Sequence, residues 1–318
     1  MNLLKAIVFS LLIFLTVIDS RATDSTAIEI PRKTFRWLDA KTSPDPNRSI
    51  LLTCGLSVLY AGSMSWLYSE WYSNYPSSSF HLFNDGNEWE QMDKFAHCWD
   101  AYSIAKPVYH TYRWAGWSNK KAAWFGAGIS FMFQTTVEVF DGFSSGWGFS
   151  LYDMAANATG TAFFLSQQLG WGEQRMVLKY SLHTTPYSAY RPDVLGKNFP
   201  ERLLKDYNGL TYWVSVNPAS FMKSSTIKFP NWLSLAVGFG AEGMTGGTSN
   251  PTEINGKPIP SFERYRQYYL GIDFDLARIK TRNRLLHDIF HLINIVHLPA
   301  PAIEFSPGRR TKWHALYF

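Results

Sequence analysis

A chain of 318 residues with 30 lysines and arginines against 25 aspartates and glutamates carries a formal charge of +5, too mild a basicity for a nucleic-acid footprint. Aromatic residues make up 17% of it, with 13 tryptophans, which suits a protein at a membrane interface, where an amphipathic ring is comfortable, or one with a dense aromatic core. The length allows a sizeable core and two domains, and neither a Gly-rich nucleotide loop nor a Gly-x-Ser-x-Gly nucleophile elbow occurs.

The N-terminus sets the compartment. A short basic start from Met1 to Lys5, an apolar run from Ala6 to Ile18 and the small residues around Ser20 and Ala22 form the pattern of an export signal over residues 1–22. An uncleaved membrane helix is the competing reading, but the run is short and is followed at once by Asp19 and Arg21. No cysteine stands at the cleavage point, so this pattern is not that of a lipid-anchored chain. Residues 23–48 read as a linker rich in basic residues.

Four long apolar or amphipathic stretches follow: Ser49 to Tyr68, Trp89 to Tyr112, Ala122 to Phe140 and Leu151 to Leu169. Each is far longer than a typical strand, so helices are expected, packed as a bundle over residues 49–180. Arg32, Lys33, Arg36, Lys41 and Arg48 ahead of the first stretch would be a cytoplasmic flank for an inner-membrane span. Export puts them outside, which favours helices packed together in the periplasm or against a membrane. Cys54 and Cys98 both fall in these helices, and their pairing stays open.

After a linker at 181–208, residues 209–318 change to a period of two. In "YLGIDFDLAR", Leu270, Ile272, Phe274 and Leu276 alternate with Gly271, Asp273, Asp275 and Ala277. In "WLSLAVGFG", Leu233, Leu235, Val237 and Phe239 alternate with small residues. "LTYWVSV", "AIEF" and the terminal "WHALYF" complete four or five strands. Outer-membrane barrels share the alternation and the terminal aromatic residue but need at least about eight strands. The expected fold is therefore α+β, an N-terminal four-helix bundle with a C-terminal antiparallel sheet. "LLHDIFHLINIVH" spaces His287 and His291 as in a zinc-peptidase helix but offers Asp288 where that helix has Glu, and its apolar residues mark a surface or interfacial helix.

The chemistry sits in the helical half. Asp93, His97 and Asp100 share one face of the second helix, Glu138 and Asp141 are three apart at the end of the third, and Asp153 and Asn157 are four apart on the fourth. An acid inside an apolar helix is costly unless paired, hydrated or coordinating something, so these residues are expected to turn toward one polar seam. A metal site, an acid and base pair and a ligand pocket all remain open, and neither a metal nor any other cofactor is specified. Each residue also has a structural account: Ser150 with Asp153 matches a capping box, Asp141-Gly142 is a helix stop, and Asp93 or Asp100 can pair with Lys94 or Lys106.

"MDKFAH", "VEVFDGF" and "GFSLYDMAANATG" together resemble domain of unknown function family 2279, the YfiM-like predicted periplasmic lipoproteins, over roughly residues 78 to 172. A weaker pattern similarity, an early Asp-Lys with His, a central Glu and a late Asp with Asn, links the chain to VanZ-like membrane proteins. The family resemblance implies an envelope location and no assigned activity. The resulting expectation is a non-enzymatic periplasmic or outer-membrane-associated component that binds a lipid, a glycan or an envelope protein. The alternative is an envelope hydrolase or transferase acting through His97 and the carboxylates. Export itself is testable: N-terminal sequencing of the protein from the envelope fraction should return a mature start close to Thr23, and a chain beginning at Met1 would contradict it.

Overall fold

Four long helices come first. Helix α1 runs from Pro46 to Glu70, α2 from Met92 to Trp114, α3 from Asn119 to Gly142 and α4 from Leu151 to Gly170. The computed structural model describes residues 40–70, 72–222, 229–254 and 256–318; the expected signal peptide and most of the linker after it lie outside the described residues. Two compact units emerge. One holds the helices, as the described residues up to 83 with residues 100–173; the other holds the sheet, as residues 84–99 with 174–318. The chain passes from one to the other within α2.

In the helical unit the four stretches expected as helices are helices, with ends set by local chemistry. Ser118 and Ser150 cap α3 and α4, their hydroxyls accepting the N–H groups of Lys121 at 3.3 Å and Asp153 at 3.0 Å. Trp89, expected as the start of α2, instead lies in a left-handed turn with Glu90 and Gln91, so the helix begins at Met92. Gly126 sets how closely α2 and α3 approach, since a Cβ there would come within 2.6 Å of the Ala105 carbonyl. Arg48 is buried at the start of α1, its guanidinium donating to the Trp114 carbonyl at 3.2 Å and resting on the Trp114 ring at 4.1 Å. The two cysteines are unpaired.

This unit buries polar groups beside apolar ones such as Tyr102, Trp114 and Phe164, and leaves several large apolar side chains exposed. Ser130, Gln134 and Glu138 of α3 and Asp153, Asn157, Gln167 and Gln168 of α4 are buried, while Val58 of α1, Trp124 and Met132 of α3, and Leu151 and Leu169 of α4 are exposed. No charged residue occurs from Ser49 to Ser69, from Ala122 to Val137 or from Met154 to Gly170. The most apolar 18-residue window within residues 46–69 has a mean hydropathy of 1.5, and only 6% of it is buried.

In the sheet unit, six strands pair antiparallel: β1 (Met176–Leu182), β2 (Leu210–Val216), β3 (Leu233–Glu242), β6 (Tyr265–Phe274), β7 (Ala300–Phe305) and β8 (Lys312–Tyr317), in the order β1-β2-β3-β6-β7-β8. The two-residue strands β4 (Glu253–Ile254) and β5 (Lys257–Pro258) form a separate ladder. The expected four or five strands thus become six in the sheet, the addition being β1. In "MVLKYSL" Lys179 breaks the apolar pattern, and the lysine is tolerated only because its ammonium meets Asp273 of β6 at 2.7 Å with both side chains 0% exposed.

One face of the sheet is enclosed and sets polar groups among the buried residues Trp213, Ala236, Tyr269, Ala302 and Tyr317. Ser215 of β2 donates to the same Asp273 carboxylate at 2.5 Å, and Lys179 also donates to the Phe274 carbonyl at 2.8 Å. Trp213 covers Gly238 on the neighbouring strand, where a Cβ would come within 2.7 Å of the ring. His297 stacks on that tryptophan with ring centroids 4.0 Å apart. The Tyr317 hydroxyl of β8 lies 2.9 Å from the Thr211 hydroxyl of β2 and 2.8 Å from that of Tyr269, a reach across three intervening strands that a flat sheet could not make. Residues 295–297 pair with the β1 edge at Tyr180, blunting it.

Lys179→Met alone should destabilise the protein by about 3–5 kcal/mol by stranding Asp273, whereas Lys179→Met with Asp273→Leu should recover most of that loss. Denaturant unfolding of the three purified proteins measures both effects.

Candidate functional site

The six residues singled out from the sequence fall into two groups, one in each unit. Asp93 and His97 belong to the sheet unit, at the start of α2. Glu138, Asp141, Asp153 and Asn157 belong to the helical unit.

The first group is held by an unusual entry into the helix. Trp89, Glu90 and Gln91 all have positive φ, at 48°, 52° and 65°, a conformation that costs an L-residue about 1–2 kcal/mol. Arg264 grips the Glu90 carboxylate at 3.2 Å and Arg266 at 3.3 Å. Arg266 also bonds Gln91, the Trp89 N–H reaches the Gly247 carbonyl at 2.9 Å, and its ring lies against Tyr207. Met92, Phe95 and Trp99 then pack the first turns of α2 onto Tyr180, Leu210 and Tyr212 of the sheet.

Asp93 is fixed from three directions. Tyr207 donates to Oδ1 at 2.6 Å, the Lys94 ammonium lies 2.9 Å from Oδ2, and the His97 Nε2 stands 3.8 Å from Oδ1. Lys94 also meets Asp85 at 2.6 Å. Burial opposes the charged form of Asp93, but His97, Lys94 and the Tyr207 hydroxyl outweigh it and hold the carboxyl below its ordinary value. Histidine is a side chain that takes part in proton transfer.

The second group joins α3 to α4. Glu138, 1% exposed, accepts the Ser150 N–H at 3.2 Å, so the residue that caps α4 also ties it to the end of α3. Gln134 donates to Asn157 Oδ1 at 3.2 Å, and Ser130 to the Ala101 carbonyl of α2 at 2.6 Å. Asp141, one turn beyond Glu138, accepts from the Tyr72 hydroxyl at 2.9 Å. Asp153 is buried on the same face of α4 as Asn157.

Sequence reasoning overlooked several of these partners. Ser130 and Gln134 precede Glu138 at steps of four in a stretch without charge from Ala122 to Val137, a signal present but unused for those two. Tyr207 lies 114 residues from Asp93, and nothing local marks it. His287 and His291 stack at 4.4 Å on α5 (Arg284–Ile293), with Asp288 Oδ1 3.4 Å from His287.

Residues 82–167 match the model of a family described as predicted periplasmic lipoprotein, domain of unknown function 2279, and the matched stretch contains all six residues. The motif resemblance is thus to this family, and the protein is an exported one with a periplasmic or membrane-associated location. No curated protein and no solved structure matches the chain.

Asp93→Asn should weaken the fold by about 1.5–3 kcal/mol near neutral pH, the worth of hydrogen bonds to a charged group. Because the folded-state pKa lies below the unfolded value of about 3.9, this stabilisation is complete above that value and fades as pH falls through the lowered one. Unfolding curves of the two proteins should differ most above about pH 5 and converge in stronger acid.

Proposed function

We propose that the protein is a non-enzymatic component of the cell envelope that binds lipid with the outer surface of its helical unit, lying in or on the outer membrane. The observation that carries this reading is α1, a helix of 25 residues whose most apolar stretch is only 6% buried. An apolar helix left uncovered in water would be an aggregation hazard; in lipid it is at rest. At 1.5 Å per residue, helices of 20 to 25 residues are about 30–37 Å long, comparable to a hydrocarbon core of about 30 Å. The polar groups of α3 and α4 turn toward one another, as groups that cannot meet water must. An exported chain with Lys41 ahead of α1 fits the outer membrane better than an inner membrane that retains positive loops in the cytoplasm.

Asp93 and His97 favour a second reading, an envelope hydrolase or transferase with His97 as the proton-transferring group. A hydrolase or transferase activity on envelope material that His97→Ala abolished while keeping the amount and location of the protein would select that reading.

Fractionation tests the first. The protein should sediment with outer membranes, resist alkaline carbonate and be released by detergent. Val58→Asp with Ala61→Asp, both on the exposed side of α1, should shift a large share of it to the soluble fraction. Recovery of the unaltered protein in the soluble periplasmic fraction would refute membrane binding.

A further inference from the structure

The sheet has its own apolar exterior. Val237 of β3 lies opposite Leu270 of β6, Leu270 opposite Ile303 of β7, and Ile303 opposite Trp313 of β8, so one row of large apolar side chains crosses four strands in register. Leu270 is 50% and Trp313 66% exposed. Around Tyr180, Tyr212 and Phe239 the same face is covered by Phe95 and Trp99 within the sheet unit; at Leu235 and Val237 of β3 and on toward β8 it is bare.

We infer that this bare face is a second lipid-contacting wall, turned toward the acyl chains of a bilayer. The inference rests on the membrane association proposed above and extends it to a different element. Three observations favour lipid over protein as the occupant. First, the outward positions of β3 from Leu233 to Phe239 and of β6 from Tyr268 to Phe274 hold no charged residue. At about 3.3 Å per residue this gives a band about 20 Å tall, close to the roughly 25 Å apolar band of membrane sheets. A protein interface of this size normally carries polar groups that pair across it. Second, the opposite face already holds the sheet's own core, Trp213, Ala236, Tyr269, Ala302 and Tyr317 around the Lys179–Asp273 pair. The outer apolar row is therefore a second apolar face, whereas an antiparallel sheet with one face in water shows polar residues there. Third, α5 points Leu285, Leu286, Ile289 and Ile293 outward, and the exposed Lys280 and Arg282 precede it. An apolar stripe next to basic residues fits the boundary between acyl chains and anionic headgroups.

The test uses the full mature chain with Cys54→Ser and Cys98→Ser, reconstituted into vesicles of phosphatidylethanolamine and phosphatidylglycerol. Spin labels are placed singly at Leu270→Cys and Trp313→Cys, with Val58→Cys on α1 as the reference for the helical unit. Accessibility to oxygen should exceed accessibility to a water-soluble nickel chelate several-fold at all three positions. Preferential exposure to the nickel chelate at 270 and 313, with position 58 in lipid, overturns the inference and leaves the membrane role of the helical unit standing. Low accessibility to both reagents at 270 and 313, with broadening between labels on two chains, assigns the face to a second copy and also overturns it. Exposure of position 58 to the chelate defeats both readings. Leu235→Cys, on the same bare face, repeats the measurement if a label at 270 disturbs the strand.

Discussion

A buried polar group must find its partner inside the protein, and the organisation of both units follows from how that demand is met. Lys179 and Asp273 show it in the sheet. Neither side chain is exposed, and either alone would carry a desolvation cost of several kcal/mol. Together, with the Ser215 hydroxyl and the Phe274 carbonyl completing the set, they can lie inside the sheet unit beside the aromatic cluster of Trp213, Tyr269 and Tyr317. Once that face is committed inward, the period of two puts Leu235, Val237 and Leu270 outward, and no choice of register returns them to the core.

The helical unit meets the same demand with a period of four. Ser130, Gln134 and Glu138 lie inside, bonded to Ala101, Asn157 and Ser150. Trp124, Gly128 and Met132 of the same helix lie outside. Polar bonding between helices and an uncharged exterior are two consequences of one pattern. In water the pattern is costly on both counts; in lipid the interior bonds are the cohesive force, because apolar burial between helices gains little there. Gly126, which lets α2 and α3 approach, adds the close packing on which such association also depends.

Asp93 and His97 differ from these groups in kind. They follow three residues in left-handed backbone, kept there by Arg264, Arg266 and the Gly247 carbonyl. Backbone strain held by several independent contacts is a feature that functional sites share. Tyr207 and Lys94 restrain the carboxylate, with the His97 imidazole beside it. The helical carboxylate Glu138, by contrast, is engaged in joining two helices.

Helices and strands were legible in the sequence because hydrophobic periodicity is a local property. Uncharged runs of about 16 residues or more allow little but a helix, and alternation in "YLGIDFDLAR" allows little but a strand. The family resemblance was legible for the same reason, since its motifs are short and contiguous. The residues Asp93, His97, Glu138, Asp141, Asp153 and Asn157 could be named because charged or amide groups are conspicuous in apolar helices. Their partners could not: Tyr207 reaches Asp93, and Asp273 reaches Lys179, across 114 and 94 positions of chain, a proximity that exists only after the sheet has formed. Periodicity also states that a strand has an apolar face without stating which way it looks. Only the tertiary structure decided that, by pairing Lys179 with Asp273 on one side of the sheet and so turning Leu270 and Trp313 to the other.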